Sequence, residues 1–235
     1  YTLSCIQRNK RIYISKHHTE NINPKETCYL LAHCKGTVYY FNTWENNQPH
    51  IPFNTNIFPA GIIQFILFDA QMNPLAERLV FNKEIPQTNI HFQANKKAYT
   101  ARDLVSVKLG ITNSEHFPLK GSLSVAITDD KDIEVNHTSE SILSRMLLTS
   151  ELKGHIKSPG YYFENDSINR NVALDLLMLT HGWRRYNMPE VIKGNFETPS
   201  IPFEGKRRIT GQVRSALLNR PLKGAYISGL HTPFN

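Results

Sequence analysis

Apolar and polar side chains alternate strictly along residues 105–112. Val105, Val107, Leu109 and Ile111 fall on one side, and Ser106, Lys108, Gly110 and Thr112 on the other. A repeat of two is the period of an extended strand with one dry face and one wet face. Leu123, Val125 and Ile127 repeat the pattern against Ser122, Ser124, Ala126 and Thr128, after a loop holding Pro118 and Gly121. Two such strands are expected to form half of one face of a β-sandwich.

The chain before them also reads as β. Arg11-Ile12-Tyr13-Ile14-Ser15 alternates in strand period. Cys28-Tyr29-Leu30-Leu31-Ala32-His33 and Thr37-Val38-Tyr39-Tyr40-Phe41 flank Lys35-Gly36, which is a hairpin signal. Residues 44–58 are rich in Asn and Pro and are expected to be a loop. Gly61–Phe68 is apolar on both faces, as the central strand of a sandwich is. Asp69-Ala70-Gln71-Met72-Asn73-Pro74 turns the chain, and residues 75–81 return as its partner. The polar stretch 83–88, with Pro86, marks a domain boundary.

Beyond the alternating strands the period changes. Ile142, Leu143, Met146, Leu147 and Leu152 approach helical spacing, with Ser139 or Ser141 as N-cap and Gly154 as stop. Ser167 caps a second helix, which carries Ile168, Val172, Leu176 and Leu179 on one stripe and ends at Gly182. Both helices are expected to pack on the sandwich. Residues 197–204, with Pro199 and Pro202, form a second boundary. Arg208-Ile209-Thr210-Gly211-Gln212-Val213 and Gly224-Ala225-Tyr226-Ile227-Ser228 open a further β unit, too short to be a complete sandwich. The expected organisation is therefore mainly β: one sandwich over residues 1–87, a second with two inserted helices over 88–198, and the start of a third unit over 199–235.

Composition limits the function classes. At 235 residues, with 40% hydrophobic and 20% charged side chains, the chain is of folded rather than disordered type. Its longest apolar runs, 61–68 and 174–179, fall short of the ~20 residues that span a bilayer as a helix. No apolar segment with a small-residue cleavage site opens the chain, so no signal peptide is read there. The first residue is not Met and sits inside a strand pattern, so the sequence is expected to be a piece of a longer protein. The net charge is +7. Its densest clusters, Lys206-Arg207-Arg208 and Trp183-Arg184-Arg185-Tyr186, match no nucleic-acid-binding motif, and no nucleic-acid partner is expected. Cys5, Cys28 and Cys34 contain no Cys-x-x-Cys pair; Cys5 is within reach of Cys28 or Cys34 if their strands are neighbours, and otherwise all three are free thiols.

Several runs carry a family resemblance. Pro59-Ala60-Gly61-Ile62-Ile63-Gln64-Phe65-Ile66-Leu67-Phe68-Asp69 and Pro74-Leu75-Ala76-Glu77-Arg78-Leu79-Val80-Phe81 resemble the first macroglobulin-like domain of large envelope proteins from Bacteroidetes. Tyr99-Thr100-Ala101-Arg102-Asp103-Leu104-Val105 and Gly121-Ser122-Leu123-Ser124-Val125-Ala126-Ile127-Thr128-Asp129 resemble the next such domain. Leu147-Leu148-Thr149-Ser150-Glu151-Leu152-Lys153-Gly154 and Leu174-Asp175-Leu176-Leu177-Met178-Leu179-Thr180-His181-Gly182-Trp183-Arg184-Arg185-Tyr186 are similar to the helical signature inserted there. Ile209-Thr210-Gly211-Gln212-Val213 and Pro221-Leu222-Lys223-Gly224-Ala225-Tyr226-Ile227 resemble the start of a carboxypeptidase-regulatory-like domain, which in these proteins often precedes a TonB-dependent receptor plug-like domain. The resemblance implies tandem immunoglobulin-like (macroglobulin-like) sandwiches. It also implies an exported protein of the periplasm or outer membrane, membrane-associated only through parts outside this sequence. The reactive thioester of alpha-macroglobulins, set in Cys-x-Glu-Gln, is matched by none of the three cysteines.

Motifs for chemistry are sparse. Ser150-Glu151-Leu152-Lys153 spells Ser-x-x-Lys, which on a helix sets a lysine one turn from a serine, but the companion motifs of that chemistry are missing. Asp129, Asp130, Asp132 and Glu134 cluster after a strand without EF-hand spacing. The histidines show no metal-ligand spacing. Asp166-Ser167-Ile168 matches a short O-glycosylation pattern resembling that of Bacteroidetes, and Ser167 is equally explained as a cap. No catalytic residue, cofactor or metal is assigned. The expected function is a non-enzymatic structural or binding segment of an exported envelope protein, in association with TonB-dependent uptake; its partners are envelope proteins or a glycan. The alternative is a carbohydrate-binding or ancillary module of a polysaccharide-utilisation protein. Trp183, Arg184, Arg185 and Tyr186 are the candidate ligand surface, or else the pin that holds the inserted helix to the sheet.

Overall fold

A computed structural model describes residues 1–20, 26–45, 47–85, 88–125, 127, 136–182, 184–196, 198, 214–215 and 220–221. Trp183, the acidic cluster Asp129, Asp130, Asp132 and Glu134, the basic run 206–208 and the β patterns at 208–213 and 224–228 lie outside the described residues. Strand outweighs helix, 38% to 19%, in several antiparallel sheets, so the fold is mainly β.

Seven strands build a two-sheet sandwich. β1 (Thr2–Arg8), β2 (Arg11–His17) and β5 (His50–Asn54) form one sheet in the order β1-β2-β5. β3 (Cys28–Cys34), β4 (Thr37–Trp44), β6 (Gly61–Phe68) and β7 (Pro74–Asn82) form the other, in the order β4-β3-β6-β7. Every pairing is antiparallel. The inward side chains follow the period of two. Ile12 and Ile14 sit opposite Phe53 and Ile51 in register, and they meet Leu30, Ala32, Ile63, Phe65, Leu67 and Val80 of the second sheet in one buried cluster. At its centre Phe65 lies 5.3 Å from Phe53 and 5.9 Å from Phe58, ring centre to ring centre.

The stretch 44–58 is not the loop its composition suggests. Ile51 and Phe53 are buried while Pro52 and Asn54 point outward, so β5 alternates like its neighbours. β5 is an edge strand, where the missing N–H of Pro52 costs no ladder bond. A 3-10 turn (Thr55–Ile57) then leads to β6. The Asn82 side-chain amide clamps that turn by donating to the carbonyls of Thr55, Phe58 and Pro59 at 3.0–3.1 Å.

Strand pairing also differs in the second alternating region. β9 (Val107–Asn113) pairs with β8 (Thr88–Ala94), a strand with no expectation attached to it, in the register Ile90 to Ile111 and Phe92 to Leu109. Residues 121–125 are not a strand. The chain does fold back after β9, since Thr112 bridges Pro118 and Leu119 N–H donates to the Ile111 carbonyl at 2.9 Å. The pairing went to β8 because its Ile90 and Phe92 match the apolar side of β9 in the same period.

The helical part covers the sandwich rather than the β8–β9 ribbon. α1 (Ile142–Ser144) starts with a capping box between Ser141 and Ser144 and passes into a π turn (Arg145–Thr149). A 3-10 turn (Pro159–Phe163), α2 (Ile168–Thr180) and α3 (Met188–Ile192) follow. Leu148, Leu152, Ile156, Leu174 and Met178 bury against Ile62, Leu79 and Phe81, the outward side chains of β6 and β7. Met188 joins Leu31, Ile66 and Phe68. The expected stripe on α2 is corrected here: Ile168, Val172, Leu176 and Leu179 face outward, and Leu174 and Met178 face the sheet. Ser167 does cap α2, accepting from Arg170 N–H. The first helix is shorter than its pattern: it passes into the π turn after Ser144, with Ile142 and Met146 in solvent and Leu148 inside.

Residues 1–195 form one unit and 196–235 another. In the second, Arg214 bridges Pro221, and Ser215 N–H donates to the Arg220 carbonyl at 2.9 Å. Among the described residues no helix is long and apolar enough to cross a membrane.

The packing makes a direct prediction. Phe65→Ala should lower unfolding free energy in urea by roughly 3–5 kcal/mol, because it empties the centre of the aromatic cluster. Phe92→Ala, at a side chain 72% exposed, should change it by no more than about 0.5 kcal/mol. Equal effects would contradict this placement of the core.

Candidate functional site

The segment carrying Arg184, Arg185 and Tyr186 lies on the outer face of the four-stranded sheet. Arg184 pairs its backbone with Leu152, and its guanidinium turns inward, Nη2 to Glu77 Oε1 at 3.3 Å. Glu77 Oε2 accepts from Gln64 Nε2 at 2.6 Å. Gln64 Oε1 in turn lies 3.0 Å from His33 Nε2. Gln64 is the lone polar residue in β6, and it exists to serve this chain of contacts from β3 through β6 and β7 to the 184–186 segment. Burial lowers the Arg184 pKa and the Glu77 carboxylate opposes that shift. Burial also pushes the His33 imidazole down to about 4, with the Gln64 hydrogen bond working the other way. His33 Nδ1 and Arg184 Nε and Nη1 are buried without a partner among the described residues.

Tyr186 packs its ring edge-on to His33, 6.2 Å between centres. Gly36 holds φ +81°, a backbone that favours glycine, and a Cβ there would also press on that ring at 3.3 Å. Gly61 plays the same part under the π turn: its φ is +113°, and a Cβ would come within 3.2 Å of the Leu147 carbonyl oxygen. Arg185 remains exposed. Its Nη1 donates to the Ser150 carbonyl at 3.1 Å and its guanidinium lies over the Tyr186 ring at 5.8 Å. The structure thus brings Arg184 and Tyr186 together as fasteners and leaves Arg185 at the surface.

Two clefts open beside the helical cover. One, of about 660 Å³, is lined by Glu140, Arg145, Ser150, Lys153, His155 and Arg185 among others. Ser150 Oγ is 3.3 Å from the Met146 carbonyl and 3.4 Å from Glu151 Oε1, and it makes no hydrogen bond to Lys153. The other cleft, of about 730 Å³, lies among the β1–β2 hairpin, the chain leaving β7 and the N-terminal half of α2. At its edge Arg78, 4% exposed, holds Asp175 of α2 through Nη2 at 2.7 and 2.9 Å and donates from Nη1 to the Leu79 carbonyl at 2.8 Å.

The three cysteines are free. Burial raises the Cys5 and Cys34 thiols to about 12, so both stay protonated at neutral pH. Among the described residues no three His, Cys, Asp or Glu side chains converge as a metal site does.

Sequence reasoning missed the His33–Gln64–Glu77–Arg184 chain, the Arg78–Asp175 pair and the cleft beside α2. A signal was present for the first two: a glutamine inside an eight-residue apolar strand, and an arginine directly before Leu79-Val80-Phe81. Neither signal names the partner, which lies far along the chain. No family model, curated protein or solved structure matches this chain.

Two outcomes follow. Asp175→Ala should destabilise the fold by roughly 1–3 kcal/mol, since it strands a buried guanidinium, less than a fully buried pair because water screens the half-exposed carboxylate. Arg78→Met combined with Asp175→Leu should recover most of that loss in a double-mutant cycle. His33 carries a pH dependence with a fixed sign. Its folded pKa of about 4 lies below the ordinary 6.5, so the unfolded chain binds the proton first. The His33 contribution is complete above pH 6.5 and is lost as pH falls toward 4. The urea midpoint of His33→Gln should decline less over that window than that of the natural chain.

Proposed function

We propose that the chain is a non-enzymatic structural and binding segment of a larger exported envelope protein, working beside TonB-dependent uptake at the outer membrane. One observation carries this reading: the 184–186 segment and the helices spend their polar groups on fastening themselves to the sandwich. The result is a β-sandwich covered on its outer sheet, with open clefts at its flanks. Burial keeps His33 neutral and the thiols of Cys5 and Cys34 protonated at neutral pH. A covered sandwich of this kind suits a spacer that presents surfaces to partners. The envelope setting rests on the resemblance of the strand and helix runs given above.

Among the described residues of the aromatic set singled out from the sequence, Trp44, Tyr161, Tyr162 and Tyr186, none offers a platform for sugar, and a protein partner is the reading put first. Stacking on a sugar ring needs an exposed, roughly coplanar aromatic platform. Trp44 is buried, with its indole N–H donating to the Gln48 carbonyl at 2.9 Å. Tyr161 and Tyr162 meet at 77°, and Tyr186 is half-buried over Gly36.

Fractionation of the organism that carries the gene should recover the full-length protein with the periplasm or outer membrane, and recovery in the cytosol would refute the envelope reading. The purified chain should leave a glycan array blank at physiological salt. Selective glycan binding that Arg185→Ala removes would replace this reading with the carbohydrate one.

A further inference from the structure

α2 has two apolar faces, and among the described residues only one is covered. Leu174 and Met178 bury on the sheet. Ile168, Val172 and Leu176 line the 730 Å³ cleft and are 80%, 52% and 53% exposed. They recur every four residues, about 6 Å apart along a helix axis. That spacing matches alternate side chains of an extended chain, about 6.6 Å apart. A folded soluble surface rarely carries such a continuous apolar ladder without an occupant.

The opposite wall is a strand. β1 is laddered to β2 alone, so among the described residues the main chain of its other edge enters no strand ladder, although β7 lies near it. Cys5, Gln7 and Arg8 of β1 line the cleft. Gln7 Nε2 donates to the Phe81 carbonyl at 3.0 Å, which sets β1 alongside β7. Arg78 holds Asp175, while Lys83 holds Asn171 and Asp166. α2 therefore runs antiparallel to β7, and the ladder and the strand edge flank one channel.

The charges in the channel are unequal. Its three carboxylates each have a cation: Glu84 has Lys10, Asp166 has Lys83, and Asp175 has Arg78. Arg8 and Arg11 stand directly opposite each other in the β1–β2 register. Neither has an ion pair or side-chain hydrogen bond among the described residues. Like charges at opposed positions repel, and a carboxylate between them relieves that repulsion with forked hydrogen bonds.

We propose that this channel docks an extended, acidic peptide segment of a partner protein. Its main chain runs along the free edge of β1, alternate apolar side chains rest on Ile168, Val172 and Leu176, and a carboxylate side chain lies between Arg8 and Arg11. Strand addition gives affinity through the main chain and selectivity through the alternate side chains. The inference stands on the channel itself and holds whether or not the protein resides in the envelope.

The test is a phage-displayed library of short random linear peptides panned on the full chain. Enriched peptides should alternate apolar residues and carry Asp or Glu. A synthetic copy of one, followed by fluorescence anisotropy, should bind about tenfold or more weakly to Val172→Asp and, separately, to Arg8→Glu. It should bind unchanged to Leu179→Asp, which alters an exposed residue outside the channel. Val172 and Arg8 lie on different elements, so loss of folding in one variant leaves the other decisive. Absence of enrichment over the Val172→Asp protein, or binding indifferent to both substitutions, would overturn the proposal. So would a fluorescent fatty acid that binds in a Val172-dependent manner while no peptide is enriched, which would make the channel a lipid site.

Discussion

Strand β6 is buried on both faces along its whole length, and both the three-stranded sheet and the helical segment are arranged to keep it so. Its inward residues Ile63, Phe65 and Leu67 need the β1-β2-β5 sheet above them. Its outward residues Ile62, Ile66 and Phe68 need a second cover. An antiparallel sheet usually wets one face, so a strand apolar on both sides demands something beyond a simple sandwich. The helical segment supplies it. Each large side chain covered in this way contributes about 1.5–3 kcal/mol of transfer free energy, so both covers matter to stability on the same scale.

Apolar contact alone does not fix where a cover sits, because it has no direction. The polar contacts do that. Arg184 to Glu77, Glu77 to Gln64 and Gln64 to His33 run across three strands of the sheet and end on the covering segment. Arg78 to Asp175 does the same at the sheet edge. Gly36 and Gly61 let backbone and ring approach closely at two further points. Buried ionic contacts add little net stability, but their distances and angles permit only one docking of the cover. Arg184 and Tyr186 belong to that fixing, which is why a surface role falls to neighbouring residues.

Satisfying one face of α2 leaves the other open. With the Leu174–Met178 side bound to β6 and β7, the Ile168–Val172–Leu176 side has no partner within the described chain, and it happens to face a strand edge and two unpaired arginines. The same geometry that makes the covered sandwich rigid therefore produces its most distinctive open surface. A rigid frame holds such a channel in its binding shape before a partner arrives, and this lowers the entropy lost on docking.

Local pattern determined a great deal. The period of two over residues 11–15, the Lys35-Gly36 hairpin, the double-sided apolar run of β6 and the Ser167 cap were all legible, because each depends only on neighbours within a few residues. β5 was hidden because Asn and Pro dominate its surroundings, although Ile51 and Phe53 carry the period. What tertiary structure alone decided was partner choice. α2 has apolar residues around much of its circumference, and sequence periodicity selected the stripe that turned out to face solvent. The winning stripe was the one whose neighbour Asp175 reaches Arg78, a contact 97 residues away. Likewise, β9 had two strands of matching period available, and pairing went to β8. Sequence by itself set the mainly β class and the two faces of strands such as β2, β6 and β9, since these follow from backbone geometry and alternation. Which face met which, and hence where the free surface lies, followed from long-range polar contacts and close packing that no local pattern encodes.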